Sequence, residues 1–438
     1  MCFISISEFY NIYYDFKNKL ACEQDSFHII CKTLSYFCGY LWEKSETTYN
    51  FNKNYVIGYK VQKNNNKSTD KLLKSILHVC DMIGKADQDI IKKQINIAAI
   101  EFSSDTGFFS EKLSKQYPSD FICSTKTFIQ QCLSFDKAIS GTEIVQALRN
   151  VWTINLLQSI FEENVYVSDA ILGYSLLYPY TDNMLDNDDI SMSDKLSFAN
   201  RIAYKLSGKM PISIDELETK VFKLIDFIER QYSISENDFL YKCLQAINKY
   251  QFNSISLDKR KKTSKAAELI AITCEKGGMS VLTDGFIING AISAELFLLC
   301  YITGVLLQLM DDFQDVVADK DNCHNTVFTE AVNTANMEAA TNKLLNFTDA
   351  VVEYILVYSK STFKHEIAKA LLHYSKILIY FSINRNRKFY SREYINNIKK
   401  YYPYTPSYMD KFNKKLKKVM IKFKDINIGF SELLDIIT

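Results

Sequence analysis

Five prolines and thirteen glycines are all that punctuate 438 residues. Both residue types break regular structure, so their scarcity predicts long uninterrupted elements. The apolar spacing makes those elements helices. In "EIVQALRNVWTINLLQSIF", Ile144, Ala147, Val151, Ile154 and Ile160 fall near one stripe at the helical period. "IDELETKVFKLIDFIERQY" repeats the pattern. Strand-like alternation is confined to residues 49–62. The expected fold is an all-α bundle, and 47% hydrophobic content allows it a sizeable core.

A net charge of +1 creates no global field that would recruit nucleic acid or a membrane. The histidines form no metal-like pair, and there is no glycine-rich nucleotide loop. Eleven cysteines are scattered without a C-x-x-C pair, a pattern that fits reduced thiols in the cytoplasm. The first twenty residues lack a basic start and an unbroken apolar run, so no signal peptide is expected. No membrane span is expected either. The nearest stretch, 281–309, is interrupted by Asp284 and Glu295.

Three breaks organise the chain. "QKNNNKSTDK" (62–71) reads as a polar loop. Residues 103–107 and 117–120 read as a second irregular region, and 248–264 as a third that ends basic. These suggest an N-terminal helical region over 1–135 and a bundle over 136–438.

Against this helical background, "GVLLQLMDDFQDVVADKDN" (304–322) is anomalous. On a helix, residues four apart lie about 40° apart around the axis. Asp311 and Asp315 therefore share a face, Asp319 continues it, and Gln308 and Gly304 precede them on the same side. Acidic residues near a helix C-terminus oppose the macrodipole, and like charges four apart repel. A bound cation would remove both penalties. A second acidic face occurs in "YPYTDNMLDNDDIS" (178–191), where Asp182 and Asp186 stand four apart with Asn183 beside the first. The spacing does not fit an EF-hand loop. Bundles build metal sites from inward carboxylates, and oxygen ligands without His or Cys favour Mg²⁺, which shares its shell with phosphates. The implied substrate carries a phosphate or diphosphate.

Gly304-x-x-Leu307-Gln308-x-x-Asp311-Asp312-x-x-Asp315 resembles the second aspartate-rich motif of class I isoprenoid synthases, the superfamily of trans-prenyl diphosphate synthases and terpene synthases. "TDNMLD" (181–186) resembles the first motif, with Asn183 in place of an aspartate. "SKAAELIAITCEKGG" (264–278) is similar to the family's lysine helix, placing Lys265 at the diphosphate-contacting lysine and Gly277 at a small residue where that helix kinks. The resemblance covers roughly residues 140–330. It implies a helical bundle with a central cavity and an extra N-terminal helical region. It also implies three Mg²⁺ ions held by Asp182, Asn183, Asp186, Asp311, Asp312 and Asp315, with Lys265 and Gln308 on the substrate side. The implied chemistry is ionisation of an allylic prenyl diphosphate, with cations stabilising the leaving group. Asp182, Asp311, Asp312 and Lys265 are then the catalytic set. A homodimer is compatible with the resemblance.

The family's chain-elongating members carry a paired arginine after the first motif. Here the first arginine is Arg201, and Gly84-Lys85 is followed by "ADQD". A one-substrate reaction, cyclisation or elimination, is therefore expected. Elongation and head-to-head coupling stay open, since both acidic clusters also satisfy D-x-x-x-D. So does a binding protein without chemistry, because the neutral oxygen of Asn183 ligates Mg²⁺ weakly. Arg149, Arg385, Arg387 and Lys388 are further candidate diphosphate contacts, since arginine clamps phosphate bidentately. Lys320 stands next to Asp319 and could reach phosphate, while His324 reads as structural. The basic amphipathic segment 411–425 is expected to pack its apolar face on the bundle, with peripheral contact with an anionic membrane as the alternative.

Overall fold

The computed structural model describes residues 11, 26–51, 56–83, 85–106, 111–187, 189–257, 266–359, 361 and 364–425. Among them the regular structure is helical and no strand occurs. The helices are α1 (Ser26–Lys44), α2 (Tyr59–Met82), α3 (Gln88–Thr106), α4 (Glu111–Phe135), α5 (Gly141–Phe161) and α6 (Asp169–Asp186). Next come α7 (Met192–Leu206), α8 (Glu216–Gln231), α9 (Asp238–Leu257), α10 (Ala266–Asn289), α11 (Ala294–Gln314) and α12 (Val316–Asp321). The chain continues through α13 (Val327–Asn333), α14 (Met337–Tyr358), α15 (Lys364–Arg385), α16 (Arg392–Ile398) and α17 (Pro406–Asp425).

Two compact units form, and neither follows the linear division at residue 135. One comprises Met1–Thr47 with Thr142–Lys364, and the other Thr48–Gly141 with His365–Thr438. Each unit is thus assembled from two separated parts of the chain. A linear reading cannot see this, because it has no access to which apolar faces meet.

In the first unit, α10 and α11 form the central pair. Glycine permits their close approach. A Cβ at Gly277 would overlap the Gly304 carbonyl oxygen, and one at Gly304 would overlap the Gly277 carbonyl. Gly278, one residue on, lies against the Tyr301 ring. The helix α10 is continuous through Gly277, from Ala266 to Asn289. Here glycine serves close approach. Among the described residues one helix, Glu295–Gln314, is long and apolar enough to cross a membrane. Its composition has a packing explanation, because Val305, Leu306, Leu309 and Phe313 are fully buried within this unit. Around it Trp42, Phe313, Phe328 and Phe347 meet edge to face. Helices α6 and α8 run antiparallel. Arg230 pairs with Asp169, and the Ala170 N–H donates to Gln231.

In the second unit the polar run 62–71 is not a loop but the body of α2. Its polar residues at helical spacing bind another segment. Gln62 Nε2 donates to the carbonyls of Lys399 (2.7 Å) and Tyr402 (3.0 Å), and Asn65 Nδ2 to that of Pro403 (2.9 Å). Asn66 exchanges bonds with Thr405, and Thr69 reaches the Tyr404 hydroxyl. Asp70 accepts from Tyr408 (2.7 Å) and Lys415 (2.5 Å). Gln62, Asn65, Ser68 and Thr69 are buried, so the interior face of the first half of this helix is polar. A periodicity test tuned to apolar residues cannot find it. Other sequence expectations fail similarly. Residues 103–106 belong to α3, 117–120 to α4, and 248–257 to α9. The strand expected over 49–62 gives way, where described, to the Gly58 turn and the start of α2. In α17, Tyr408, Met409 and Val419 are buried, while Lys415 and Lys422 pair with Asp70 and Asp81.

Two expected outcomes follow from these contacts. Gly277→Val and Gly304→Val should each lower unfolding free energy by about 1–3 kcal/mol, the cost of overpacking, read by urea denaturation. Gln62→Ala should cost about 1–3 kcal/mol through the carbonyls it strands. Lys63→Ala, on the solvent face of α2, should stay within about 0.5 kcal/mol of the wild type.

Candidate functional site

The two acidic motifs lie at the C-terminal ends of α6 and α11. The Ser168 hydroxyl caps the start of α6, accepting from Ile171 N–H at 3.2 Å. Pro179 sits inside α6, where its missing N–H leaves the Ser175 carbonyl without the usual helical bond. One turn later come Asp182, Asn183 and Asp186. Helix α11 carries Gln308, Asp311 and Asp312 and ends at Gln314. The chain turns slightly at Asp315, and α12 begins at Val316. A single helix through Asp319 was the expectation. The break is small, because Asp315 N–H still donates to the Asp311 carbonyl (3.0 Å) and Asp319 N–H to that of Asp315 (2.8 Å).

Helix α5 brings Arg149 to this end, and its Nη2 donates to Asp311 Oδ1 at 3.1 Å. Both oxygens of Asp312 are used within the chain. Gln308 Nε2 donates to Oδ1 at 2.8 Å, and the Thr273 hydroxyl of α10 to Oδ2 at 3.2 Å.

The carboxyl groups sense one another across helices. Burial, then the charge of Asp186, pushes Asp182 up to about 6, and Asp311 adds to the rise. The Lys276 ammonium and a hydrogen bond from Tyr178 oppose it. Asp312 is also pushed up to about 6 by burial, opposed by Gln308 and Lys276. Asp319 rises to about 7 through burial and the negative charge of Asp312, with His324 opposing. Burial also raises the Tyr178 phenol, and Asp182 and Asp311 raise it further. The charges of Asp182, Asp311 and Asp186 thus all act on one tyrosine, with Arg149 opposing them.

Lys276 is the residue that sequence reasoning missed. It acts on Asp182 of α6 and on Asp312 of α11 together. A signal for it existed. Thr273 and Lys276 stand three apart, on one helical face with Gly277 and Ser280. The expected lysine, Lys265, lies outside the described residues. Asn183 and Asp186 are exposed. Arg385, Arg387 and Lys388 belong to the other unit, where Arg387 Nη1 donates to Asp410 at 2.7 Å and Lys388 lies over the Phe389 ring. Lys320 is exposed on α12. His324 donates its N–H to the Asp319 carbonyl at 2.7 Å, and its Nδ1 lies 3.7 Å from Asp319 Oδ1. Arg201 is committed to the buried carboxylate of Glu218, with Nε at 2.7 Å.

Hard carboxylate oxygens suit Mg²⁺ by type. By position they do not form a closed ligand set. Among the described residues, no group of three or more His, Cys, Asp or Glu side chains is placed to hold a metal ion. Negative charge here is balanced by Arg149, by Lys276 and by protons. For Asp311 to ligate a metal through both oxygens, Arg149 must let go. A separate groove of about 400 Å³ opens in the same unit among Trp42, Leu269, Ile270, Val327 and Ala331, and none of the motif aspartates lines it. Deeper along α10, Asp284 is fully buried, and burial pushes its pKa well up, opposed by the Asn150 side chain.

These shifts set a pH dependence. In the unfolded chain an aspartate titrates near about 4. The folded protein holds protons on Asp182 and Asp312 up to about 6. It therefore binds more protons than the unfolded chain between those values, and stability falls as pH rises through that window. In metal-free buffer the melting temperature should drop by several degrees between about pH 4.5 and pH 7.5, with a shallower drop in Asp182→Asn. Differential scanning calorimetry across pH checks both outcomes. Set beside known proteins, the chain matches no family model and no curated protein.

Proposed function

We propose that this protein is a class I isoprenoid synthase-like enzyme that ionises an allylic prenyl diphosphate and lets the resulting chain cyclise or lose a proton. The observation that carries the reading is the shared electrostatic neighbourhood of Asp182 on α6 and Asp311 and Asp312 on α11, with Lys276 of α10 acting on both Asp182 and Asp312. Such an arrangement suits a dianionic or trianionic group arriving with its own cations. Mg²⁺, when bound with the diphosphate, would supply the positive charge that makes diphosphate a good leaving group. Asp182, Asp186 and Asp311 would hold it only after drawing together and freeing Asp311 from Arg149, with Asn183 and Asp315 at the margin. Arg149 would leave Asp311 for a diphosphate oxygen, and Lys276 would contribute a second point charge. Gln308 and Thr273 keep Asp312 fixed, so Asp312 positions the end of α11. The reduced thiols fit a cytoplasmic setting, and a homodimer is compatible with this reading.

A second reading is favoured by a specific observation. Asp311 is already paired with Arg149, and no closed group of metal ligands is present among the described residues. A protein that binds prenyl diphosphate without ionising it would need no more than this. Elongation or head-to-head coupling is the remaining form of the enzymatic reading, and it requires a second substrate for turnover.

Incubation with prenyl diphosphates of increasing chain length decides among these. The arms are with and without Mg²⁺ and with and without isopentenyl diphosphate, followed by product mass analysis. The expected result is Mg²⁺-dependent diphosphate release from the allylic substrate alone. Asp182→Ala and Asp311→Ala should reduce that release by at least about 100-fold, in line with removal of a group that stabilises a developing charge. Release unchanged in both variants sinks the proposal. Tight binding without release supports the binding-protein reading.

A further inference from the structure

Helices α7 and α8 lie side by side and run in the same direction. Arg201 of α7 pairs with Glu218 of α8, and four residues further on Lys205 pairs with Asp226, eight residues further along α8. The end of α7 therefore lies beside the middle of α8. The segment joining them, 207–215, must travel back along α8 by roughly 15 Å, at 1.5 Å per helical residue. It is fastened at both ends. Near α7, Lys209 N–H donates to the Tyr204 carbonyl (3.3 Å), and Lys205 Nζ lies 3.9 Å from Met210 Sδ. Near α8, Ile214 N–H donates to Glu218 (3.1 Å), and the Thr219 hydroxyl to that of Ser213 (2.9 Å).

This fastened strap presents its largest apolar side chains to solvent. Met210 is 84% exposed, Ile212 86% and Ile214 69%. They alternate with the less exposed Pro211 and Ser213, so they form a ridge along one side of an extended segment. Burying large aliphatic side chains is favourable, and a row of them held in water calls for a covering partner.

We propose that this ridge seats the unit on a lipid bilayer surface. Shape is the first argument. At more than four-fifths exposed, Met210 and Ile212 have little protein surface beside them, so the ridge is convex there. A folded protein partner would need a fitted pocket for each side chain, whereas fluid acyl chains accept any outline. Charge is the second. The acidic groups around the strap are each engaged: Asp226 with Lys205, Glu218 with Arg201, Glu216 with Lys220, and Asp215 as the cap of α8. Lys209 remains beside the ridge, its Nζ 4.6 Å from the Tyr204 ring centre. A basic group with an aromatic ring, below an apolar edge, matches the layering of a headgroup region over acyl chains. Since α6 and α8 are antiparallel, the Ile214 end of the ridge lies towards the end of α6 that bears Asp182 and Asp186. The proposal stands on the strap alone and does not rest on the proposed chemistry.

The test is co-sedimentation of the full-length protein with phosphatidylcholine vesicles and with vesicles containing phosphatidylserine. The wild type should sediment with both, more with the anionic ones. The combined variant Met210→Ser, Ile212→Ser, Ile214→Ser should lose at least about tenfold of the partitioning, because apolar area drives it. Its melting temperature should not change. Prenyl diphosphate binding, measured without lipid, should also persist, which separates a failure here from a failure of the proposed chemistry. Wild-type protein that ignores both vesicles overturns the proposal, as does a combined variant that binds them equally. So does a wild-type oligomer, seen by sedimentation velocity without lipid, that the variant converts to monomers, because the ridge is then a seat for a second copy.

Discussion

The contact between Gly277 and Gly304 sets the terms for the first unit. With no side chain at either position, α10 and α11 approach until backbone meets backbone. That distance lets the short Thr273 side chain reach Asp312, and it places Lys276 within the field of both acidic helices. Larger residues at the crossing would push the helices apart by a side-chain width, and a threonine hydroxyl has no length to recover it. A glycine that reads as part of a signature is thus a packing device on which the electrostatics depend.

The second unit reaches its interior by another route. Its α2 turns amides and hydroxyls inward, onto the carbonyls and hydroxyls of residues 399–405. Hydrogen bonds of this kind add little net stability when made and cost much when broken. They fix register, because a shift by one residue would strand every donor. The aromatic rings of Tyr404, Tyr408 and Phe412, packed against one another, supply the apolar part of the same interface.

These two routes explain how much could be read in advance. The all-α class followed from scarce Pro and Gly and from the stripes in α5 and α8. The pairing of Arg149 with Asp311 joins two residues already singled out by charge. The helix over 62–71 was illegible because its buried face is polar. Lys276 carries no motif of its own in the sequence, because position along a helix cannot say which turn faces a partner helix. The two-part assembly of each unit was also out of reach. It depends on which faces meet in three dimensions, and a polar tract resembles a boundary until its partners are known.

Lys276 has a consequence of its own. One ammonium group moderates the acidity of two carboxyl groups on different helices, so whatever occupies that ammonium changes both. An anion drawn to Lys276 weakens its hold on Asp182 and Asp312, and the site then takes up protons near neutrality. A cation drawn to the same carboxylates does the reverse and expels them. At fixed pH the two effects on protons oppose each other, so a cation taking these carboxylates must displace the protons that an anion on Lys276 brings in.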